Sequence, residues 1–472
     1  MQMFVDNGVA EDDPRMSAVY EHFEGNLRDI VDTLNAKGMH VVLSTVPVNL
    51  RQSAPFLSIG RDGLSVSDEA KLTALRERAE AQALNGRWRE AQDLWQQAIA
   101  LDAGHADSHF QLATSLENLG ELALARSHYE RALDLDGLRF RADTRINAII
   151  ERVAREYDSS NVSFVHSSKG FDRASAPYAP GWDLLVEHVH YDFSGNAVLA
   201  RIFARAIARY LSPTTPPKLL QPEEVAARIG FPNHETIENL KNLQGMAKQP
   251  PFPGQSNYQD YLAFLATELS SITAEVGEPK DVVRRRQQVL VDGEGDWKLH
   301  FEMTALARHL KNKQAQYYHL DQLFKLYPHN RESYINLATL LSQDGRWAEV
   351  IPLLERSLSY TRGRDELVVE AVGWLGTAHL KTNNTAKATE LLLSIPGDYP
   401  DQVGMSLRAY GNLIKHSSDS RDAQATEQYL KSLENYANTL VASGASESYP
   451  RLNQRMAQLM TMGGDKAGAA RW

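Results

Sequence analysis

Between residues 72 and 139 the chain repeats itself with a period of 34 residues. Ala79 recurs as Ala113, Ala91 as Ala125 and Ala98 as Ala132, while Trp95 is answered by Tyr129 and Asp102 by Asp136. Each unit has the spacing of two amphipathic helices, with apolar residues returning every three to four positions. Alanines stand where two helices must approach closely, and one large aromatic fills the remaining gap. A period of this length admits few architectures, because one unit cannot bury its apolar face alone and must stack on a neighbour.

The segments RWREAQDLWQQAIALD and ELALARSHYERALDLD fit the second helix of such a unit. In period and pattern the repeats resemble the tetratricopeptide repeat. A second array follows from Trp297. YINLATLLSQDGRWAEVIPLLERSL (334–358) carries Leu337, Ala338, Leu341, Gly345 and Leu354 in the corresponding places. VGWLGTAHLKTNNTAKATELLLSIPGDYP (372–400) carries Leu375, Gly376, Ala388 and Pro400, displaced by about four residues beyond the strict period. Residues 403–465 read as helical with a weaker match, as terminal repeats often do. The resemblance implies a concave groove that takes a peptide or another protein.

The flanks of the first repeat pair read differently. MSAVYEHFEGNLRDIVDTLNAKG has helical periodicity, with Gly38 as its stop. MHVVLSTVPVN (39–49) is β-branched and continuous, as a buried parallel strand is. After the repeats, FRADTRINAIIERVAREY predicts a helix, NVSFVHSS (161–168) a second strand, 170–182 a loop, and SGNAVLARIFARAIARYL (194–211) a last helix with Ser194 as its N-cap. Helix, strand, helix, strand, helix is an α/β order. The repeat pair stands as an insertion between the first strand and the next helix.

On VVLSTVPVNL, the RINAII helix and the block EHVHYDFSGN (187–196), this region resembles the C-terminal half of an SGNH (GDSL-type) hydrolase, over about residues 1–211. The resemblance implies Glu187 as the orienting acid and His190 as the general base of a triad, with Glu where the family more often has Asp. An acid three residues before a histidine can orient the imidazole and stabilise its protonated form. The family's serine, in an early Gly-Asp-Ser block, has no counterpart here. Ser65 lacks a preceding strand and reads as a helix cap; Ser167 and Ser168 follow a strand, but in the wrong place. The simplest expectation is a protein whose start lies upstream of Met1; a degenerate scaffold is the other. Two further readings of the block remain open. Residues 188 and 190 point the same way on an extended segment, so Glu187, His188 and His190, with Asp192, could meet one metal ion; or the histidines are satisfied loop residues.

The fold class expected is mostly α, tetratricopeptide-type α-solenoid repeats plus a small, incomplete α/β domain with parallel strands. The organisation expected is a partial SGNH-hydrolase-like domain at 1–60 and 140–212, the inserted repeat pair at 61–139, a helical connector at 213–295, and a repeat array at 296–472. A net charge of −10 argues against a nucleic-acid partner, and the absence of cysteine excludes disulfides and thiol nucleophiles. No run of about 18 apolar residues exists that could span a membrane. The first residues, MQMFVDNGVAEDDP, have neither the basic nor the apolar region of a signal peptide. No cofactor and no resident metal are expected, and the compartment is not legible.

Overall fold

The computed structural model describes residues 7–61, 63–157, 161–211, 219–291, 293, 295–361, 363, 365–444 and 449–472. Two compact units divide the chain. The first holds Met1–Ala226 and Phe231–Gly277; the second holds Ala227–Gly230 and Glu278–Trp472.

In the first unit, α1 (Arg15–Ala36) leads to β1 (Val41–Ser44). The next helices are α2 (Val66–Leu84), α3 (Trp88–Leu101), α4 (Ala106–Asn118) and α5 (Leu122–Leu135). Then come α6 (Thr144–Glu156), β2 (Val162–Val165), α7 (Ser167–Ser175) and α8 (Phe193–Leu211). The strands pair in parallel, with Val41 opposite Val162 and Ser44 opposite Val165. Val41 and Leu43 turn into a core with Met16, Tyr20 and Val31 of α1 and Ile149, Ile150 and Val153 of α6. Alternate strand residues face opposite sides, which is why the remaining pair, Val42 and Ser44, is only half-buried. α8 runs against both strands.

Two boundaries differ from expectation. Residues 167–175 form a helix, α7, where the end of a strand reaching 168 and a loop from 170 were expected; SSKGFDRAS is short and holds a glycine, so its helical signal is weak. Its Phe171 is buried against Leu184 and Leu185, and that packing outweighs propensity. The cap of α8 is Asp192 rather than Ser194: its Oδ1 accepts from the Gly195 N–H at 2.7 Å, and Ser194 lies inside the helix. Ser65 does cap α2, accepting from the Asp68 N–H at 3.1 Å.

Every alanine of the 34-residue period is buried: Ala79, Ala91, Ala98 and Ala113 are 0% exposed, and Ala125 and Ala132 are 2% exposed. Trp95 and Tyr129 fill the gaps those small residues leave. The turns inside the two hairpins use Gly86 and Gly120 at φ +70° and +78°, conformations that disfavour any side chain. The acids Asp102 and Asp136 point inward. Asp102 accepts from Arg61 and Gly104 N–H groups, and Asp136 from those of Phe56, Leu57 and Leu138. The loop entering the repeats is thus held by the last acid of each repeat.

The segment 213–295 is divided. α9 (Pro222–Ile229) comes first; α10 (His234–Met246) and α11 (Tyr258–Val276) belong to the first unit, and α12 (Pro279–Val291) to the second. The link before α11 is bonded to the segment that follows β1. Gln255 donates to Ala54 O, and Asn257 takes the Ala54 N–H at 3.3 Å and donates to Gln52 O at 2.9 Å.

The second unit is a run of antiparallel helix hairpins: α13 (Trp297–His309) and α14 (Lys313–Leu326), α15 (Arg331–Gln343) and α16 (Trp347–Ser359), α17 (Glu366–Lys381) and α18 (Thr385–Asp398), α19 (Val403–Asp419) and α20 (Ala423–Ala442), and α21 (Leu452–Met462) with α22 (Lys466–Arg471). The displaced spacing has a simple origin, since α17 has 16 residues where α15 has 13, close to one extra turn. The weakly patterned tail continues the stack, and its Leu407, Leu413, Leu433 and Leu459 share one core with α17 and α18.

A histidine pair recurs in both units. His109 Nδ1 meets His128 Nδ1 at 2.9 Å, and His300 Nδ1 meets His319 Nδ1 at 3.0 Å. His109 Nε2 lies 3.2 Å from Ala103 O, so it donates there; its Nδ1 therefore accepts, and His128 donates. Burial pulls His109 and His319 down from 6.5 to about 4. The unfolded chain then binds more protons between those values, so these pairs cost stability as pH falls from 6.5 toward 4. Imidazole NMR titration of the folded protein is expected to give midpoints near 4 for His109 and His319; midpoints near 6.5 would contradict the paired, neutral state.

Candidate functional site

Asn49, 0% exposed, connects the end of β1 to the segment before α8. Its Nδ2 donates to Glu187 O and its N–H to His188 O, both at 3.1 Å. Its own side-chain oxygen accepts from Gln52 N–H at 2.9 Å. Behind it, Arg141 donates to Asn49 O at 2.9 Å, to Ser53 O at 2.8 Å and to Asp136 Oδ2 at 3.1 Å. Burial pulls the Arg141 guanidinium down, while the Asp136 carboxylate and the more distant Glu187 charge oppose it. The loop 186–191 is closed on itself, with Val186 N–H on His190 O at 2.9 Å.

Glu187 is 5% exposed and meets both histidines. Its Oε1 lies 2.7 Å from His190 Nδ1 and also accepts from the N–H groups of Val189 (2.9 Å) and His190. Its Oε2 meets His188 Nδ1. Burial pushes the carboxyl up, but the His188 hydrogen bond and charge and the two backbone N–H groups outweigh it, and Glu187 is held at about 2. It is therefore an anion at neutral pH, aimed at two imidazoles. His188 is enclosed by Phe56, Phe140 and Phe252, with ring centroids 5.0, 6.1 and 5.9 Å away. The His190 side chain is 78% exposed. Its Nδ1 is turned to the acid, which leaves Nε2 as the outward nitrogen, without a hydrogen-bond partner among the described residues.

The alternating rule placed 188 and 190 on one side, yet the closed turn brings their Nδ1 atoms to opposite oxygens of one carboxylate. Asp192 is engaged with α8, and burial pushes its carboxyl up to about 6. Among the described residues no group of three or more potential ligands could hold a metal ion. Ser167 and Ser168 sit at the carboxyl ends of the strands, where Ser167 Oγ meets Ser44 Oγ at 2.6 Å and Ser168 Oγ donates to Thr45 Oγ1 at 2.7 Å. Ser65 caps α2. None of the three is a hydrogen-bond partner of His190.

The sequence pattern identified Glu187 and His190 but missed His188 as a second partner of the acid, and Asn49 as the residue that fixes both backbones. The only signal for Asn49 was its place just after an apolar strand. Trp182 was missed as well; it stacks on Phe264 at 4.5 Å and brings α11 over the site.

In the second unit the first helices of successive hairpins are cross-linked. Arg308 donates to Asn336 at 2.6 Å, and Asn412 to Thr377 at 2.8 Å. A cavity of about 200 Å3 between α17, α18 and α19 is lined by Trp374, Leu392, Met405 and Arg408.

Residues 333–366 match the tetratricopeptide-repeat family. That segment is similar to a tetratricopeptide repeat. It spans α15 and α16. No protein of curated function matches the sequence. Among solved structures, the tetratricopeptide-repeat domain of P58(IPK) is similar at 12% identity, covering 83% of this chain and 98% of that one with a TM-score of 0.23. Yeast Tom70 is similar at 12% identity, covering 86% of this chain and 97% of that one with a TM-score of 0.28. Tetratricopeptide repeats serve protein interaction through the surfaces their stacking creates.

Removing one member of a buried ion pair leaves the other charge uncompensated. Arg141→Ala is expected to lower the stability of the full chain by about 3–5 kcal/mol in chemical denaturation. A loss below about 1 kcal/mol would show that Asp136 finds other compensation.

Proposed function

We propose that the protein is an interaction scaffold. Its helical hairpins present a groove to a peptide or protein, and its strand-pair region is the C-terminal part of an SGNH-type hydrolase fold that keeps an acid and a base without a nucleophile. The observation that carries the scaffold reading is the tetratricopeptide repeat at 333–366, set in a continuous series of hairpins. The groove reading is supported by Thr377, Asn412, Trp374 and Arg408, which give one stretch of the first helices both hydrogen-bonding and apolar groups. An acidic chain with a net charge of −10 favours a protein partner over nucleic acid.

The hydrolase-like part of the reading is supported by the 2.7 Å contact of Glu187 with His190 ahead of α8, beside two parallel strands. In this role Glu187 orients the ring through Nδ1, and Nε2 would take a proton from an attacking hydroxyl. The exposed Nε2 has no such hydroxyl beside it among the described residues. The alternative function, an ester or acyl hydrolase of the SGNH type, therefore needs a serine-bearing half from outside these residues.

Two measurements test the pair of readings. Peptides selected from a random library on the full chain are expected to lose binding on Trp374→Ala and Asn412→Ala and to keep it on Glu187→Gln; the reverse pattern would overturn the groove. The full chain is expected to hydrolyse p-nitrophenyl acetate no faster than its His190→Ala variant. Serine labelling by a fluorophosphonate that disappears in His190→Ala would instead establish the hydrolase.

A further inference from the structure

A cavity of about 430 Å3 lies in the second unit between α12, α13 and α14, within the about 300–1,000 Å3 usual for small-molecule sites. Val283, Leu290, Met303 and Leu310 form apolar walls. Among the described residues none lining it carries a formal charge, unlike the cavity at the carboxyl ends of β1 and β2, whose lining includes Arg126, Glu151, Lys169 and Asp172. Its polar groups are Gln287, Asn312, Tyr318 and His319. The Asn312 side-chain oxygen is already used, accepting from the Ala315 N–H at 3.1 Å.

His319 is the unusual member. It is 5% exposed, and its Nδ1 is taken by His300 Nδ1 at 3.0 Å. Its Nε2 has no hydrogen-bond partner among the described residues. Two neutral imidazoles joined through Nδ1 share one proton, so one ring donates and the other accepts. If His319 donates to His300, its Nε2 is a lone pair; if it accepts, its Nε2 carries a proton. The groups facing the pair are Asp296 near His300 and the exposed phenol of Tyr318 beside both rings. Burial holds both histidines neutral.

We propose that this cavity binds a neutral, mainly apolar small molecule carrying one hydroxyl, with that hydroxyl on His319 Nε2. A hydroxyl both donates and accepts, so it satisfies either tautomer of the pair. A carboxylate or ammonium group would lose its hydration with no countercharge among the described lining residues, and a pure hydrocarbon would leave Nε2 dry and unpaired.

The probe is 2-naphthol, titrated calorimetrically into the full chain at neutral pH, with naphthalene and 2-naphthoate as comparators. The proposal expects one equivalent of 2-naphthol to bind and to shift the His319 imidazole nitrogen resonance. It expects naphthalene and 2-naphthoate to bind about tenfold or more weakly. Ala315→Trp, which fills the cavity from a half-buried position, should abolish binding while leaving the helical circular dichroism unchanged. His319→Phe should bring 2-naphthol down to the affinity of naphthalene; if that variant fails to fold, the Ala315→Trp and comparator results decide alone. No binding of 2-naphthol up to its solubility limit, equal binding of 2-naphthoate, or binding retained in Ala315→Trp each overturns it.

Discussion

The Asp136–Arg141 pair is the junction on which the first unit depends. Asp136 ends the second inserted repeat, and Arg141 stands just ahead of α6. Together they hold the backbone of residues 49, 53, 56, 57 and 138. Ion pairs buried this deeply contribute little net stability over a well-packed apolar substitute, because desolvation consumes the Coulomb attraction. Their value is specificity. Only one arrangement of repeat pair, strand end and following helix brings both terminal nitrogens of Arg141 to Asn49 O, Ser53 O and Asp136 while Asp136 also accepts from Phe56, Leu57 and Leu138. Asn49 extends the same network to the Glu187 loop, so the geometry of the acid and its two histidines is set from beneath by residues that never touch an imidazole nitrogen.

That arrangement separates two histidines that the sequence presents as near equals. His188 is enclosed by aromatic rings and faces Glu187 from within; His190 offers its ring to solvent. The carboxylate is kept ionised against its burial first by the His188 ring and then by the His190 and Val189 N–H groups of its own turn. A single anion between a buried and an exposed imidazole resembles a hinge pin more than a metal cage: the buried ring locks the acid in place, and the acid fixes the orientation of the exposed ring.

Much of the fold was legible because it rests on periodicity. The alanine stations of the 34-residue period and the aromatic replacements appear in the structure where their spacing puts them, and both strand runs hold a strand, though only over Val41–Ser44 and Val162–Val165. What escaped were features set by long-range contacts. α7 forms because Phe171 finds a core at Leu184 and Leu185, and no local signal announces that. Asp192 displaces Ser194 as cap because α8 begins one residue earlier than its composition suggests. Asp102 and Asp136 were visible as recurring acids, but their role, fixing a loop some 40 and 80 residues earlier in the chain, depends on tertiary structure. The candidate site follows the same division: Glu187 and His190 lie within one local motif, whereas Asn49, Arg141 and Trp182 reach it from distant sequence.

The position of the insertion bears on how the strand pair can form at all. Val41 and its partner Val162 are separated by 121 residues of chain (162 − 41), a costly closure for so short a parallel ladder. The inserted hairpins, by contrast, are built from contacts between helices adjacent in sequence, which is the kind of contact that forms fastest. Once the insert has folded, its entry loop and its exit at Arg141 already lie side by side, and the search for β2 begins from a chain end held in place. A repeat pair that folds first would thus convert a long-range pairing problem into a nearly local one.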